Sequence, residues 1–116
     1  MLTPFEIQEA IEESIDKLSE LSDQLAVASY ESAKSEADFK VNFAKERLKA
    51  RAEGQETGNK VTVDTAEDIA TVATEDDRYN HLLASNKLTT LREAIRVTQS
   101  QIEALRTLAA SQRNNP

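Results

Sequence analysis

Gly54-Gln55-Glu56-Thr57-Gly58-Asn59-Lys60-Val61 is the stretch that decides the fold. It holds both glycines of the chain, while the two prolines, Pro4 and Pro116, stand near the ends. Glycine and proline are the strongest disruptors of helix interiors. Neither occurs between Phe5 and Glu53, or between Thr62 and Asn115, so one polar loop separates two uninterrupted stretches. The expectation is a single all-α domain over residues 1–116, with a helix over 3–53, a loop over 54–61 and a helix over 62–113.

Upstream of the loop, the first helix has a marked start. Thr3 is the expected N-cap, Pro4 the first helical residue, and Glu6 the return partner of a capping box. Leu2 and Ile7 take the staple positions, which leaves Met1 and Leu2 outside the helix. Ile7, Ile11, Ile15, Leu18, Leu21, Leu25 and Ala28 then recur every three or four residues and share one face. Small residues follow at Ser29, Ser32, Ala33, Ser35 and Ala37, and the face resumes at a drifted phase through Phe39, Val41, Phe43, Ala44 and Leu48. Gly54 is the expected C-cap, with Lys45, Arg47, Lys49 and Arg51 near the negative helix end.

Downstream, Thr62 is one expected cap and Asp64 with Glu67 the other. Ala84, Leu88, Leu91, Ile95, Thr98, Ile102, Leu105 and Ala109 form a heptad run with one polar break, at Thr98. The apolar patch Ala66, Ile69, Ala70, Val72 and Ala73 precedes it, and Asp76 and Asp77 divide the two.

Nearly equal helices joined by a short loop fold back as an antiparallel coiled-coil hairpin. Reversal at the loop centre pairs residues whose numbers sum to about 116. The seam residues are then Ile11, Leu18, Leu21, Leu25 and Phe43 on the first helix and Leu88, Leu91, Ile95, Ile102 and Leu105 on the second, with Phe43 near Val72 and Ala73, and Ser29 to Ala37 facing Tyr79, Leu82 and Leu83. Acids from Glu6 to Asp23 come beside Lys87, Arg92, Arg96, Arg106 and Arg113, and the basic Lys40 to Arg51 run beside the acidic Asp64 to Asp77 run. Ala94, Val97, Ala104 and Leu108 make a second stripe adjacent to the seam, which implies further helical neighbours. A homodimeric four-helix bundle or a higher oligomer is expected.

Composition limits the chemistry. Hydrophobic residues make up 39%, aromatics 4% and charged residues 30%, with a net charge of −7. That balance opposes broad affinity for nucleic acid or anionic lipid. No cysteine is present, so disulfides and thiolate sites are excluded. The apolar runs fall far short of the roughly 20 residues of a membrane span. Acids near Met1, where a secretory signal would be basic and then apolar, lead to the expectation of a cytoplasmic protein.

His81, the only histidine, follows Asp77 by one helical turn, but no Glu-x-x-His motif or second histidine completes a metal set. Paired acids such as Glu12-Glu13 read as solvated faces, since general acid–base chemistry needs a pocket. No phosphate loop or nucleophile elbow occurs, so neither an enzyme, a cofactor nor a small-molecule substrate is expected. Lys40, Lys45, Arg47, Lys49 and Arg51, with Phe39 and Phe43, supply the alternative of a single-stranded nucleic-acid surface. The main expectation is a protein-binding chain whose partners are itself and another protein.

The segment Ser35-Glu36-Ala37-Asp38-Phe39-Lys40-Val41-Asn42-Phe43-Ala44-Lys45, then a short loop, Val61-Thr62-Val63 and the Leu- and Arg-rich run 88–108, resembles small helical proteins of tailed bacteriophages. The likeness covers most of the chain. It implies a viral origin and a host-cytoplasmic location, and for some such proteins a setting near genes of recombination or replication. It carries no catalytic residue across. Secreted hairpins of the Trp-x-Gly type match less well, because this chain has no tryptophan.

Overall fold

Pro4 has no N–H, so two orphan N–H groups follow Thr3, those of Phe5 and Glu6, and the Thr3 side chain answers one of them. The Thr3 hydroxyl accepts from the Glu6 N–H at 3.2 Å and donates to Glu6 Oε1 at 2.9 Å, while the Thr3 N–H reaches the same carboxylate at 3.4 Å. The capping box is complete, with Pro4 as the first helical residue. The computed structural model describes residues 2–114, so the expectation for Met1 lies outside the described residues. From this cap, α1 runs over Pro4–Thr57, α2 over Val63–Ala73 and α3 over Glu75–Asn114. Among the described residues there is no strand.

The expected end of the first helix at residue 53 and its cap at Gly54 are corrected. Gly54 lies inside α1 and is buried, and the helix continues to Thr57. Gly58, with φ of 77°, takes the left-handed conformation that ends it. Gly54 is needed for a different reason. A Cβ there would stand 2.6 Å from both the Asn59 carbonyl oxygen and Val61 Cγ2, so only a bare α-carbon admits the returning loop. The last turn of α1 consequently contains no base, and Lys45, Arg47, Lys49 and Arg51 sit upstream of the negative end they were expected to meet.

The expected second helix is also divided. Thr62 is its cap, accepting from the Thr65 N–H at 3.2 Å. One residue, Thr74, separates α2 from α3. Its N–H and its hydroxyl both donate to the Ala70 carbonyl, at 3.0 and 2.7 Å, and its own carbonyl accepts from the Arg78 N–H at 3.0 Å. Glu75, Asp76 and Asp77 thus form the first turn of α3, where acids complement the positive helix end. What reads in sequence as an acidic break in one helix is the start of the next.

The chain divides into two compact units, Met1–Ala28 with Lys87–Pro116, and Ser29–Asn86. In the terminal unit, Ile7, Ile11 and Ala28 of α1 are buried, as are Leu91, Thr98 and Ile102 of α3. Ser14, Leu18, Leu21 and Leu25, with Leu88, Ile95, Leu105 and Ala109, are half-buried. Inward positions alternate by four and three along both segments, as in a heptad seam. Ile15 departs from expectation: it is 43% exposed, because strict alternation after Ile11 brings Ser14 inward instead. Thr98 is buried with its hydroxyl donating to the Ala94 carbonyl at 2.8 Å, which removes the cost of an orphaned polar group. Gln112 Nε2 donates to the Leu2 carbonyl at 2.8 Å and ties the two ends of the unit together.

The loop unit has a different interior. Its buried residues are Ala50, Gly54, Ala66, Ala70 and Thr74, all small. Above them Asn42 Nδ2 donates to Asp77 Oδ2 at 3.1 Å, and the Phe39 and His81 rings stack at 6.0 Å and 20°. The loop-centred register pairs Asn42 with Thr74 and Phe39 with Asp77, so the observed partners lie about one turn further along α3. The extension of α1 to Thr57 moves the reversal point and accounts for the offset. Val41, Leu48, Tyr79, Leu82 and Leu83, expected inside, are exposed; His81, Ala84 and Ser85 take the inward places.

Candidate interaction surfaces

The ten expected seam residues are all buried or half-buried: Ile11, Leu18, Leu21, Leu25 and Phe43 on α1, Leu88, Leu91, Ile95, Ile102 and Leu105 on α3. They serve the two interiors and leave little for a partner. Of the stripe expected to bind other copies, Ala94 is half-buried, whereas Val97, Ala104 and Leu108 are exposed.

The cross-helix charge pairing expected of Arg96 is not what this residue makes. Arg96 binds Glu93 of its own helix at 2.7 Å, which raises the Arg96 pKa. Lys40 likewise binds Glu36 of its own helix at 2.9 Å, and this contact holds the Glu36 carboxyl below its usual range. Both pairs are solvent-exposed and contribute little to stability.

The basic segment presents Lys40, Lys45, Lys49 and Arg51 to solvent, while Arg47 is half-buried. Its two aromatic rings are engaged elsewhere. Phe39 and Phe43 meet edge to face at 6.2 Å, and Phe39 also stacks on His81. They line a cleft with Thr71, Thr74 and Arg78, so they form part of the loop unit's interior and are not free to stack on bases. His81 Nδ1 is buried without a hydrogen-bond partner, and the nearby Asp77 carboxylate accepts from Asn42. Among the described residues no three His, Cys, Asp or Glu side chains gather as a metal site. None of the described helices is long and apolar enough to cross a membrane.

The feature that the sequence reading missed is a pair of outward stripes on the loop unit. On α1, Tyr30, Val41 and Leu48 are 69%, 52% and 62% exposed. On α2 and α3, Ile69, Val72, Tyr79 and Leu83 are exposed in the same way, and Val72 reaches 75%. Ile69, Val72, Asp76, Tyr79 and Leu83 alternate by three and four, the spacing of a helix-packing stripe. That spacing is present in the sequence, but spacing alone does not say which face turns outward. Asp68, Ile69, Val72 and Ala73 also line a shallow apolar hollow on α2.

No protein-family model, curated protein or solved structure matches the chain.

Proposed function

We propose that this chain is a non-enzymatic, phage-encoded helical hairpin that acts through protein contacts, including contacts with its own copies. It serves as an adaptor, accessory or host-directed factor in the host cytoplasm. The carrying observation is the pair of exposed apolar stripes on the loop unit. Large side chains at helix-packing spacing, turned away from the unit's own interior, are the usual mark of a further helical neighbour.

The antiparallel hairpin is supported by contacts that nest around the loop: Asn42 with Asp77 and Phe39 with His81 in one unit, Leu2 with Gln112 in the other. Cross-linking tests it. Links joining the first turns of α1 to the last turns of α3 are expected, and links from residue 11 to the neighbourhood of residue 48 would sink the hairpin.

Sedimentation equilibrium tests self-association. A well-folded monomer throughout the micromolar range would remove that part of the reading. Affinity purification from infected cells with identification by mass spectrometry would name the other protein partner.

The second reading is an accessory factor of phage DNA recombination or replication, and the exposed Lys45, Lys49 and Arg51 favour it. The engaged phenylalanines and the net charge of −7 count against it. A gel-shift titration with single-stranded DNA decides the matter: tight binding that weakens steeply with salt supports this second reading.

A further inference from the structure

The two outward stripes of the loop unit differ in charge as well as in position. The α1 stripe of Tyr30, Val41 and Leu48 is accompanied by Lys34, Lys45 and Lys49, all exposed, with Glu31 and Asp38 as acids among them. The stripe on α2 and α3 is accompanied by Asp68, Glu75 and Asp76, also exposed. The whole run from residue 64 to residue 77 contains six acids, Asp64, Glu67, Asp68, Glu75, Asp76 and Asp77, and no base.

Apolar surface alone would not say what covers these faces. Charge narrows the choice. A two-fold pairing of α1 stripe with α1 stripe would bring lysines against lysines, and a two-fold pairing of the other stripe would bring carboxylates together. Like-charge juxtaposition at an interface is strongly disfavoured. The basic stripe of one copy against the acidic stripe of another matches both apolar and charged groups. Copies arranged side by side and pointing the same way also set each α1 antiparallel to its neighbour's α2 and α3. Val72 and the hollow beside it then receive a side chain of the α1 stripe, as helix ridges enter grooves.

We infer that the loop unit associates head to tail, the α1 face of one copy docking on the α2/α3 face of the next. This inference rests on the self-association reading above and deepens it by assigning the two faces. A contact between two different patches leaves one patch open on each end copy. It therefore continues until a ring closes or a filament grows, where a two-fold contact would stop at a dimer.

Charge reversal tests the assignment in the full chain. Lys45→Glu with Lys49→Glu makes both faces acidic, and Asp68→Lys with Asp76→Lys makes the α2/α3 face basic like the other. Each double variant alone should lose the assembled species in sedimentation while keeping wild-type helix content by circular dichroism. An equimolar mixture of the two should recover it, because every docking in an alternating array is again basic against acidic. If Asp76→Lys disturbs the start of α3, Asp68→Lys alone places the reversal within α2 and leaves Val72 and the apolar lining of the hollow intact.

Wild-type assembly that survives both reversals would overturn the face assignment while leaving self-association intact, as would a mixture that stays dissociated. A monomeric wild type would overturn both. Assemblies that stop at dimers would overturn the head-to-tail geometry.

Discussion

The terminal and loop units differ in the size of the residues they bury, although both leave some large apolar side chains exposed, Phe5 and Val27 in the first and Leu48 and Val72 in the second. The terminal unit buries Ile7, Ile11, Leu91 and Ile102 between its own segments. The loop unit buries Ala50, Gly54, Ala66, Ala70 and Thr74, and turns Tyr30, Leu48, Val72 and Tyr79 outward. Small residues let two helices approach closely but contribute little apolar burial each, since hydrophobic stabilisation scales with the area removed from water. The terminal unit therefore buries large apolar side chains in its own interior, and the loop unit leaves more of them exposed.

The largest expected effect tests the first half of that contrast. Ile102→Ala in the terminal seam should destabilise the chain by about 2–4 kcal/mol in denaturant unfolding, the usual range for truncating a buried isoleucine. Val72→Ala, at an equally apolar but outward site, should stay within about 0.5 kcal/mol for the isolated chain. Equal losses at the two sites would erase the distinction between the units.

Next in size is the one close approach inside the loop unit. Gly54→Ala adds a Cβ 2.6 Å from the Asn59 carbonyl and from Val61. The better helix propensity of alanine is worth up to about 1 kcal/mol. The clash outweighs it, giving a net loss of about 1–3 kcal/mol, the range for overpacking. Hydrogen exchange should locate the loss in the loop unit. A stabilised Gly54→Ala variant would mean that the loop does not return against α1.

At the other end of the chain, Thr3→Ala removes the capping box and should cost about 1 kcal/mol, with faster amide exchange confined to the first turn of α1. The smallest effect concerns Glu36. Its lowered pKa arises first from the hydrogen bond with Lys40 and then from the Lys40 charge. Lys40→Gln should therefore raise the Glu36 pKa toward the ordinary carboxylate value in an NMR titration. The sign for stability follows from the depressed value. Whatever the pair contributes is present above the unfolded carboxylate pKa, and is lost as pH falls through the lower folded value. Because the pair is exposed, thermal melts of wild type and variant should nearly coincide at neutral pH.

Legibility differed between the units for a physical reason. In the terminal unit, large residues at Leu88, Leu91, Ile95, Ile102 and Leu105 mark the inward face by their own hydrophobicity, and Thr98 can join them by bonding its own helix. In the loop unit, the inward face keeps Phe39 and Phe43 but otherwise includes small or polar residues such as Ser35, Asn42, Ala70, Thr74 and His81, types that carry little inward signal. Hydrophobic patterning then selects Val41, Leu48, Leu82 and Leu83, which face solvent. The seam was readable where burial is paid for by large side chains, and misread where the interior is small and polar.

Sequence alone determined the all-helical character, the cap at Thr3, the presence of one polar loop after the first long helix and most inward positions of the terminal unit, because propensity, capping and periodicity act locally. Tertiary structure alone decided that α1 passes through Gly54 to end before Gly58, that Thr74 divides the second helix, and which apolar residues stay outside. Those choices depend on which atoms meet across the interior: the Asn59 carbonyl at Gly54, Asp77 at Asn42 and His81 at Phe39. A local pattern cannot encode contacts between residues that are far apart along the chain.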